Sequence, residues 1–123
     1  MSDHSIANIL SKASDCLDDS ILLLSEESYD AALNRSYYTM FHSIQALLFT
    51  ISFVAKSHSG AHNAFHKHFI LTQLLPRNLG LVLKRTFEKR QFGDYDYDEV
   101  LLEDARLFFE ATVLYLKKNN FLK

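Results

Sequence analysis

The chain has 123 residues, of which 48% are hydrophobic and 23% are charged, and its formal net charge is −2. This length allows one domain with a single core, residues 1–123, and the composition excludes a disordered chain. A protein that covers a long phosphate backbone is basic overall, so any contact with nucleic acid must be local. The single cysteine, Cys16, excludes an intramolecular disulfide and a cysteine-based zinc site, and its apolar neighbours predict that it is buried.

Neither a signal peptide nor a membrane-spanning helix is predicted. The chain starts without a basic segment followed by an apolar run, and polar residues break its apolar stretches well before about 18 positions. We therefore expect a cytoplasmic protein that makes no membrane contact. Three glycines and one proline leave little material for turns, which favours a few long elements.

Two long helices are predicted in the first half of the chain. Apolar residues recur three and four positions apart over residues 4–25, which predicts a helix there. A second helix is predicted over residues 29–53, with a core stripe that extends to Ile51. Of the adjacent tyrosines Tyr37 and Tyr38, one is expected to belong to the core.

Shorter helices are predicted in the second half of the chain. Gly60 marks the first clear break, because a glycine can adopt a positive φ. Helices follow over about residues 61–74 and 79–90, separated by Pro76, which cannot continue a helix. The final helix is predicted over residues 97–118.

A turn is predicted at residues 93–96, before the last helix, and Asp96 with Glu99 resembles a capping box. No window of the sequence shows convincing period-2 alternation between turns, so the pattern predicts an all-α fold. Short connections between long amphipathic helices imply that neighbouring helices are antiparallel. We therefore predict an antiparallel up-and-down helical bundle of four main helices plus a short one.

An arginine and a histidine lie seven residues apart within the second predicted helix. At 3.6 residues per turn, Arg35 and His42 fall on one helix face, with their Cα atoms about 10 Å apart along the axis. The pair combines a fixed cation with a group that titrates near neutrality, which phosphodiester chemistry can use. Tyr38 and Gln45 share this face. An ordinary solvated stripe often carries the same two residue types, so the spacing alone leaves both interpretations open.

Three histidines recur every four residues in the middle of the chain. Two imidazoles placed like His62 and His66 can hold Zn²⁺, but the sequence offers no HExxH pattern, and a zinc site needs a third protein ligand. We therefore expect a solvated or partly packed histidine face without a metal. His58, the first of the three, lies in the break that ends at Gly60.

Basic residues cluster on, and just before, the fourth predicted helix. They are Arg77, Lys84, Arg85, Lys89 and Arg90. Such a cluster is typical of a solvated helix face, and it is also the pattern of a local phosphate-binding surface.

Four segments together resemble a known family. They are Ala32-Leu33-Asn34-Arg35-Ser36-Tyr37-Tyr38-Thr39-Met40-Phe41-His42, Ser57-His58-Ser59-Gly60, residues 65–69, and Arg90-Gln91-Phe92-Gly93-Asp94-Tyr95. With the alanine and aromatic pattern of residues 102–116, they are similar to the HEPN domain (higher eukaryotes and prokaryotes nucleotide-binding) of the small stand-alone prokaryotic type. The resemblance covers nearly the whole chain.

The resemblance implies a helical bundle that is usually a homodimer, and it implies an activity. The family's Arg-x4–6-His motif corresponds to Arg35 and His42, and in catalytic members the motifs of two protomers form one composite site at the dimer interface. Such members are toxin-like endoribonucleases that need no metal or other cofactor. A ribose 2′-OH attacks its own 3′-phosphate and leaves a cyclic phosphate, while histidine moves protons and arginine stabilises the charge on phosphorus.

The resemblance also implies site residues and an alternative function. Arg35 and His42 would be catalytic, and the candidates for substrate contact are Asn34, Ser36, Tyr38, His58 and Arg90. Ser36 departs from catalytic members, which carry Asn, Asp or His directly after the arginine, and Ile44 departs from a toxin subgroup that carries tyrosine at that position. The alternative is a non-catalytic nucleotide- or RNA-binding module, or an antitoxin-type partner of a minimal nucleotidyltransferase.

Overall fold

The computed structural model describes residues 5–92 and 100–122, which form five α-helices and contain no strand. The helices are α1 (Ile6–Ser25), α2 (Tyr29–Phe49), α3 (His58–Phe65), α4 (Arg77–Phe92) and α5 (Val100–Lys118). A π-helical segment, His66–Ile70, continues α3 without a break. The prediction of an all-α bundle is confirmed, with α3 as the short helix. The predicted turn at residues 93–96 and the capping box of Asp96 and Glu99 lie outside the described residues.

The central helix of the bundle is α2, because α1, α3, α4 and α5 all contact it. Tyr37, Met40 and Ile44 on this helix are completely buried. The last helix, α5, packs against both α2 and α1 and buries Ala105 and Phe108. Within the described residues, no helix combines the length and the apolar character needed to cross a bilayer.

The second helix ends at Phe49, four residues earlier than the sequence predicts. Ser52 adopts a left-handed conformation with φ of 58°, and the Phe53 amide donates to the Leu48 carbonyl oxygen at 3.0 Å. These two features form a Schellman ending, in which a left-handed residue satisfies the last carbonyl groups of a helix. Ile51, predicted to lie in the core stripe, is consequently 43% exposed.

The third helix begins at His58, three residues before its predicted start. Ser57 is its N-cap, and the Ser57 hydroxyl oxygen accepts a hydrogen bond from the Gly60 amide at 3.0 Å. The prediction that Gly60 provides a positive φ is therefore wrong, because this residue lies in the first turn of the helix. A cap of this kind is worth about 1 kcal/mol, which offsets the similar cost of placing a glycine in a helix.

The Tyr37 hydroxyl connects α2 to α3. It lies 2.8 Å from Nδ1 of His58 and 2.9 Å from Nε2 of His62. A hydroxyl carries one proton, so it donates to one of these rings and accepts an N–H from the other. The His58 ring also stacks on Phe41, with centroids 4.2 Å apart. In the described part of the chain, no group of three or more metal-ligating side chains could hold a metal ion.

The two histidines beside Tyr37 are held in their neutral form. Burial, together with the neighbouring His58, lowers the pKa of His62 from 6.5 to about 4. Burial also lowers the pKa of His58, and the positive charge of Arg90 adds to this effect. Burial likewise raises the pKa of the Tyr37 hydroxyl, so that it remains protonated. The link between α2 and α3 is therefore a network of neutral groups near neutral pH.

We predict that the free energy of unfolding falls as the pH is lowered from 6.5 to about 4. The unfolded chain takes up a proton at His62 near pH 6.5, whereas the folded chain does so only near pH 4. The contribution of His62 to the free energy of unfolding is therefore complete above pH 6.5 and is lost as the pH falls towards 4. His62→Gln keeps an amide beside the Tyr37 hydroxyl without a titrating group. Urea denaturation followed by circular dichroism should show a flatter pH dependence for this variant, and identical profiles would contradict the prediction.

Candidate functional site

One face of α2 carries four half-buried polar and aromatic residues at helical spacing. They are Arg35, Tyr38, His42 and Gln45, and we refer to them as the motif face. The steps of three, four and three residues place them in one row along the helix. The alignment that the sequence predicts for Arg35 and His42 is therefore accompanied by an aromatic ring between them and an amide beyond them.

Neighbouring side chains hold the Arg35 guanidinium in place. Its Nη2 and Nε atoms donate to Oδ1 of Asn34 at 2.7 and 3.2 Å. Its central carbon lies 5.3 Å from the centre of the Tyr38 ring, and Nη1 lies 3.8 Å from Sγ of the buried Cys16. Arg35 forms no ion pair with a carboxylate in the described part of the chain. Its positive charge is therefore available to an anionic ligand.

His42 is prepared to accept a proton. Its Nδ1 atom lies 3.0 Å from Oε1 of Gln45. An amide oxygen only accepts hydrogen bonds, so Nδ1 carries the proton and Nε2 keeps a free lone pair in the neutral ring. Burial lowers the pKa of His42, and the positive charges of Lys12 and Arg35 lower it further, against an opposing contribution from the Gln45 hydrogen bond.

A second arginine joins the motif face from α4. The guanidinium carbon of Arg90 lies 4.9 Å from the centre of the Tyr37 ring and 5.2 Å from that of Tyr38. Its Nη2 atom donates to the Tyr38 hydroxyl at 3.4 Å, while its buried Nε atom has no hydrogen-bond partner within residues 5–92 and 100–122. The Tyr38 ring thus contacts two guanidinium groups, and its centre lies 5.9 Å from that of His42. This arrangement concentrates positive charge around one aromatic ring.

The structure brings most of the predicted site residues together, but Ser36 is separate from them. Ser36 is only 2% exposed, and its hydroxyl donates to Oγ of Ser20 at 2.6 Å, while Ser20 donates to the Ala32 carbonyl oxygen. It therefore stabilises the contact between α1 and α2 and cannot reach a ligand at the motif face. His58 lies behind the site, where its ring centre is 5.8 Å from that of Tyr38.

Two residues influence the site in ways that the sequence pattern did not predict. Gln45 orients the His42 ring, and its position three residues after the histidine was the signal that could have shown this. Lys12 lies on α1 and lowers the pKa of His42 across the helix interface. No sequence pattern connects Lys12 to His42, because their proximity depends on how α1 packs against α2.

Comparisons with known proteins agree with the predicted family. The model of the HEPN domain matches residues 6–116. A protein of Methanocaldococcus jannaschii named "Putative toxin MJ0142" is 35% identical over 126 aligned positions, which cover 96% of this chain and 86% of that protein. A "UPF0332 protein" of Thermotoga maritima is 40% identical over 84 residues, which cover 68% of this chain and 64% of that protein.

A third protein is also similar to this chain. A second Methanocaldococcus jannaschii protein, named "Putative toxin MJ0605", is 28% identical over 107 residues, or 86% of this chain and 80% of that protein. The family model covers all five helices except the last two residues of α5. Its extent and the similarity to these relatives lead to one conclusion: the chain belongs to the HEPN domain family.

Proposed function

We propose that this protein is a toxin-like, metal-independent endoribonuclease with a composite site at a homodimer interface. The observation that carries the proposal is the motif face, where an arginine that has no carboxylate partner among the described residues shares one helix surface with a neutral histidine. Two relatives have names that describe toxins, which supports a toxin-like role. No metal or cofactor is needed, because the arginine can stabilise negative charge and the histidine can take a proton.

The dimer explains how Arg35 and His42 act on the same phosphate. Within one subunit, the Tyr38 ring lies between them, 5.3 Å from the Arg35 guanidinium and 5.9 Å from the centre of His42. If two α2 helices meet antiparallel about a two-fold axis, His42 faces Arg35 of the partner subunit. The half-buried motif face supplies polar groups and an aromatic ring for such an interface. We therefore place the scissile phosphate between these two residues.

Each group then has a defined task in the proposed reaction. Nε2 of His42 takes the proton from a ribose 2′-OH, and the 2′-oxygen forms a bond to the adjacent phosphorus. The bond from phosphorus to the 5′-oxygen breaks, and this oxygen takes a proton from solvent. The products are a 2′,3′-cyclic phosphate and a 5′-hydroxyl end. Arg35 of the partner subunit binds two phosphate oxygens through its planar guanidinium, and Arg90 adds positive charge nearby.

A second candidate function is a non-catalytic module that binds a nucleotide or RNA and pairs with a minimal nucleotidyltransferase. Burial of Ser36 favours it, because the position directly after Arg35 contributes no polar group to the site. The two candidates differ in one measurable property, which is cleavage of RNA that depends on His42.

We expect His42→Ala to lower cleavage of single-stranded RNA by about 10²- to 10⁴-fold, the usual contribution of a general base. Arg35→Lys should lower it by about 10²- to 10³-fold, because an ammonium cannot bind two oxygens in the same plane. Analysis of product ends should show cyclic phosphates, and EDTA should have no effect. His68→Ala and Arg106→Lys are the matched controls, since both residues lie outside the motif face. Equal cleavage by wild type and His42→Ala, or none by either at high protein concentration, would favour the non-catalytic module.

Mixing two inactive variants tests the composite site. In a mixture of Arg35→Ala and His42→Ala subunits, half of the dimers are mixed, and each mixed dimer contains one intact pair from opposite subunits. We therefore expect about a quarter of the wild-type activity to return. Sedimentation should show a dimer at tens of micromolar. Absence of recovered activity in a mixture that demonstrably exchanges subunits would place both groups in the same subunit.

The pH dependence of cleavage should reflect the lowered pKa of His42. A base with a lowered pKa stays neutral until the pH falls below its usual value of 6.5. The acid limb of kcat/KM should therefore have its midpoint below pH 6.5. Lys12→Ala removes a charge that lowers this pKa, so its acid limb should move to higher pH. An acid limb above pH 6.5 in the wild type, or a shift in the opposite direction for Lys12→Ala, would exclude His42 as the base.

A further inference from the structure

An open groove of about 620 Å³ lies between α4 and the π-helical segment that follows α3. We call it the α4 groove, and its lining includes His62, His66, Arg77, Lys84, Phe87 and Gln91. The groove is separate from the motif face, although α4 contributes to both through Gln91 and the adjacent Arg90. The residues that line the groove would therefore contact a different part of a ligand than the motif face does.

Two cations and an amide line the α4 groove in a regular row. Arg77, Lys84 and Gln91 follow one another at intervals of seven residues, so they lie on one face of α4 over about 21 Å. Neither Arg77 nor Lys84 forms an ion pair within the described residues, whereas the adjacent Arg85 is paired with Asp104 at 2.5 Å. Glu88 also lines the groove, so Arg77 and Lys84 together with Glu88 leave a net positive charge there. The groove is suited to a chain of phosphate groups.

Aromatic side chains accompany these cations. Phe87 is half-buried and packs edge-on against His62, with ring centres 4.8 Å apart, and Phe65 and Ile70 form an apolar floor. Cations beside aromatic rings are the combination that binds single-stranded nucleic acid, in which unpaired bases can stack on side chains. A duplex hides its base faces and gains less from such a surface.

The groove lies beside the motif face, because α4 contributes Gln91 to the groove and the adjacent Arg90 to the motif face. His62, which lines the groove, contacts the Tyr37 hydroxyl at 2.9 Å, and the Tyr37 ring contacts Arg90. Arg90 in turn donates to the Tyr38 hydroxyl. These contacts link the two sites through the core, and the adjacency of Gln91 and Arg90 on α4 brings a strand in the groove close to the groups that we assign to cleavage.

We propose that the α4 groove binds the segment of single-stranded RNA that flanks the cleaved bond. This inference rests on the proposed function, since it assigns the strand that enters the Arg35 and His42 site. Arg77 and Lys84 contact phosphate oxygens, and Phe87 with the histidine rings provides surfaces for bases. The basic cluster thus has three different tasks: Arg85 stabilises the fold, Arg90 belongs to the motif face, and Arg77 with Lys84 binds RNA.

The test measures RNA binding in a His42→Ala background, which leaves the RNA uncut. The probe is a fluorescently labelled single strand of about ten nucleotides, and the readout is fluorescence anisotropy at several salt concentrations. Arg77→Ala with Lys84→Ala should weaken binding, and the slope of log K against log salt should become shallower by about 1.4 because two phosphate contacts are lost. Lys117→Ala with Lys118→Ala, which removes the same charge from the exposed end of α5, should change neither affinity nor slope.

One further variant should strengthen RNA binding, and others distinguish the groove proposal from the ribonuclease proposal. Glu88→Gln should tighten binding and steepen the slope. On the wild-type background, the Arg77 and Lys84 double variant should cleave a dinucleotide normally but cleave the longer RNA with lower kcat/KM. Equal binding by the two double variants would overturn the groove proposal while leaving cleavage by His42 intact. If the Arg77 and Lys84 variant loses RNA binding but the wild-type protein cleaves no RNA, the groove proposal is upheld and the ribonuclease proposal is overturned.

Discussion

The buried Tyr37 hydroxyl is the contact on which the arrangement of the site depends. Its ring is completely buried at the centre of the bundle, and its oxygen must find partners there because an unsatisfied buried hydroxyl costs about 1 to 3 kcal/mol. His58 and His62 provide both partners from α3, and Arg90 covers the face of the ring from α4. One side chain of α2 thereby contacts both α3 and α4, and the adjacent Tyr38 lies on the motif face beside them.

The electrostatics of the site follow from the same packing. Two guanidinium groups contact the Tyr38 ring, and burial near these charges keeps the surrounding histidines neutral. The result is a local concentration of positive charge in a chain whose net charge is −2. A neutral imidazole beside fixed cations can accept a proton, whereas a charged one could not. A site of this kind attracts a phosphate without binding polyanions over its whole surface.

The basic cluster shows how one stretch of sequence divides between structural and functional roles. Successive residues of a helix point about 100° apart, so neighbouring cations meet different surroundings. Arg85 contacts Asp104 on α5, whereas Lys84 faces the α4 groove and Arg90 reaches the two tyrosines. Charge counts along a sequence cannot distinguish these roles, because each one is defined by the element that packs opposite.

Periodicity within the sequence determined the helices and the faces that they present, because both follow from 3.6 residues per turn. The alignment of Arg35 with His42 on α2 could therefore be predicted from the spacing of the two residues alone. Helix ends were harder to predict from the sequence, since the end of α2 at Phe49 depends on the left-handed conformation of Ser52. The partners across the bundle were decided by the tertiary structure alone. Arg90 stands 52 positions from Tyr38 in the chain, and only the packing of α4 against α2 brings them into contact.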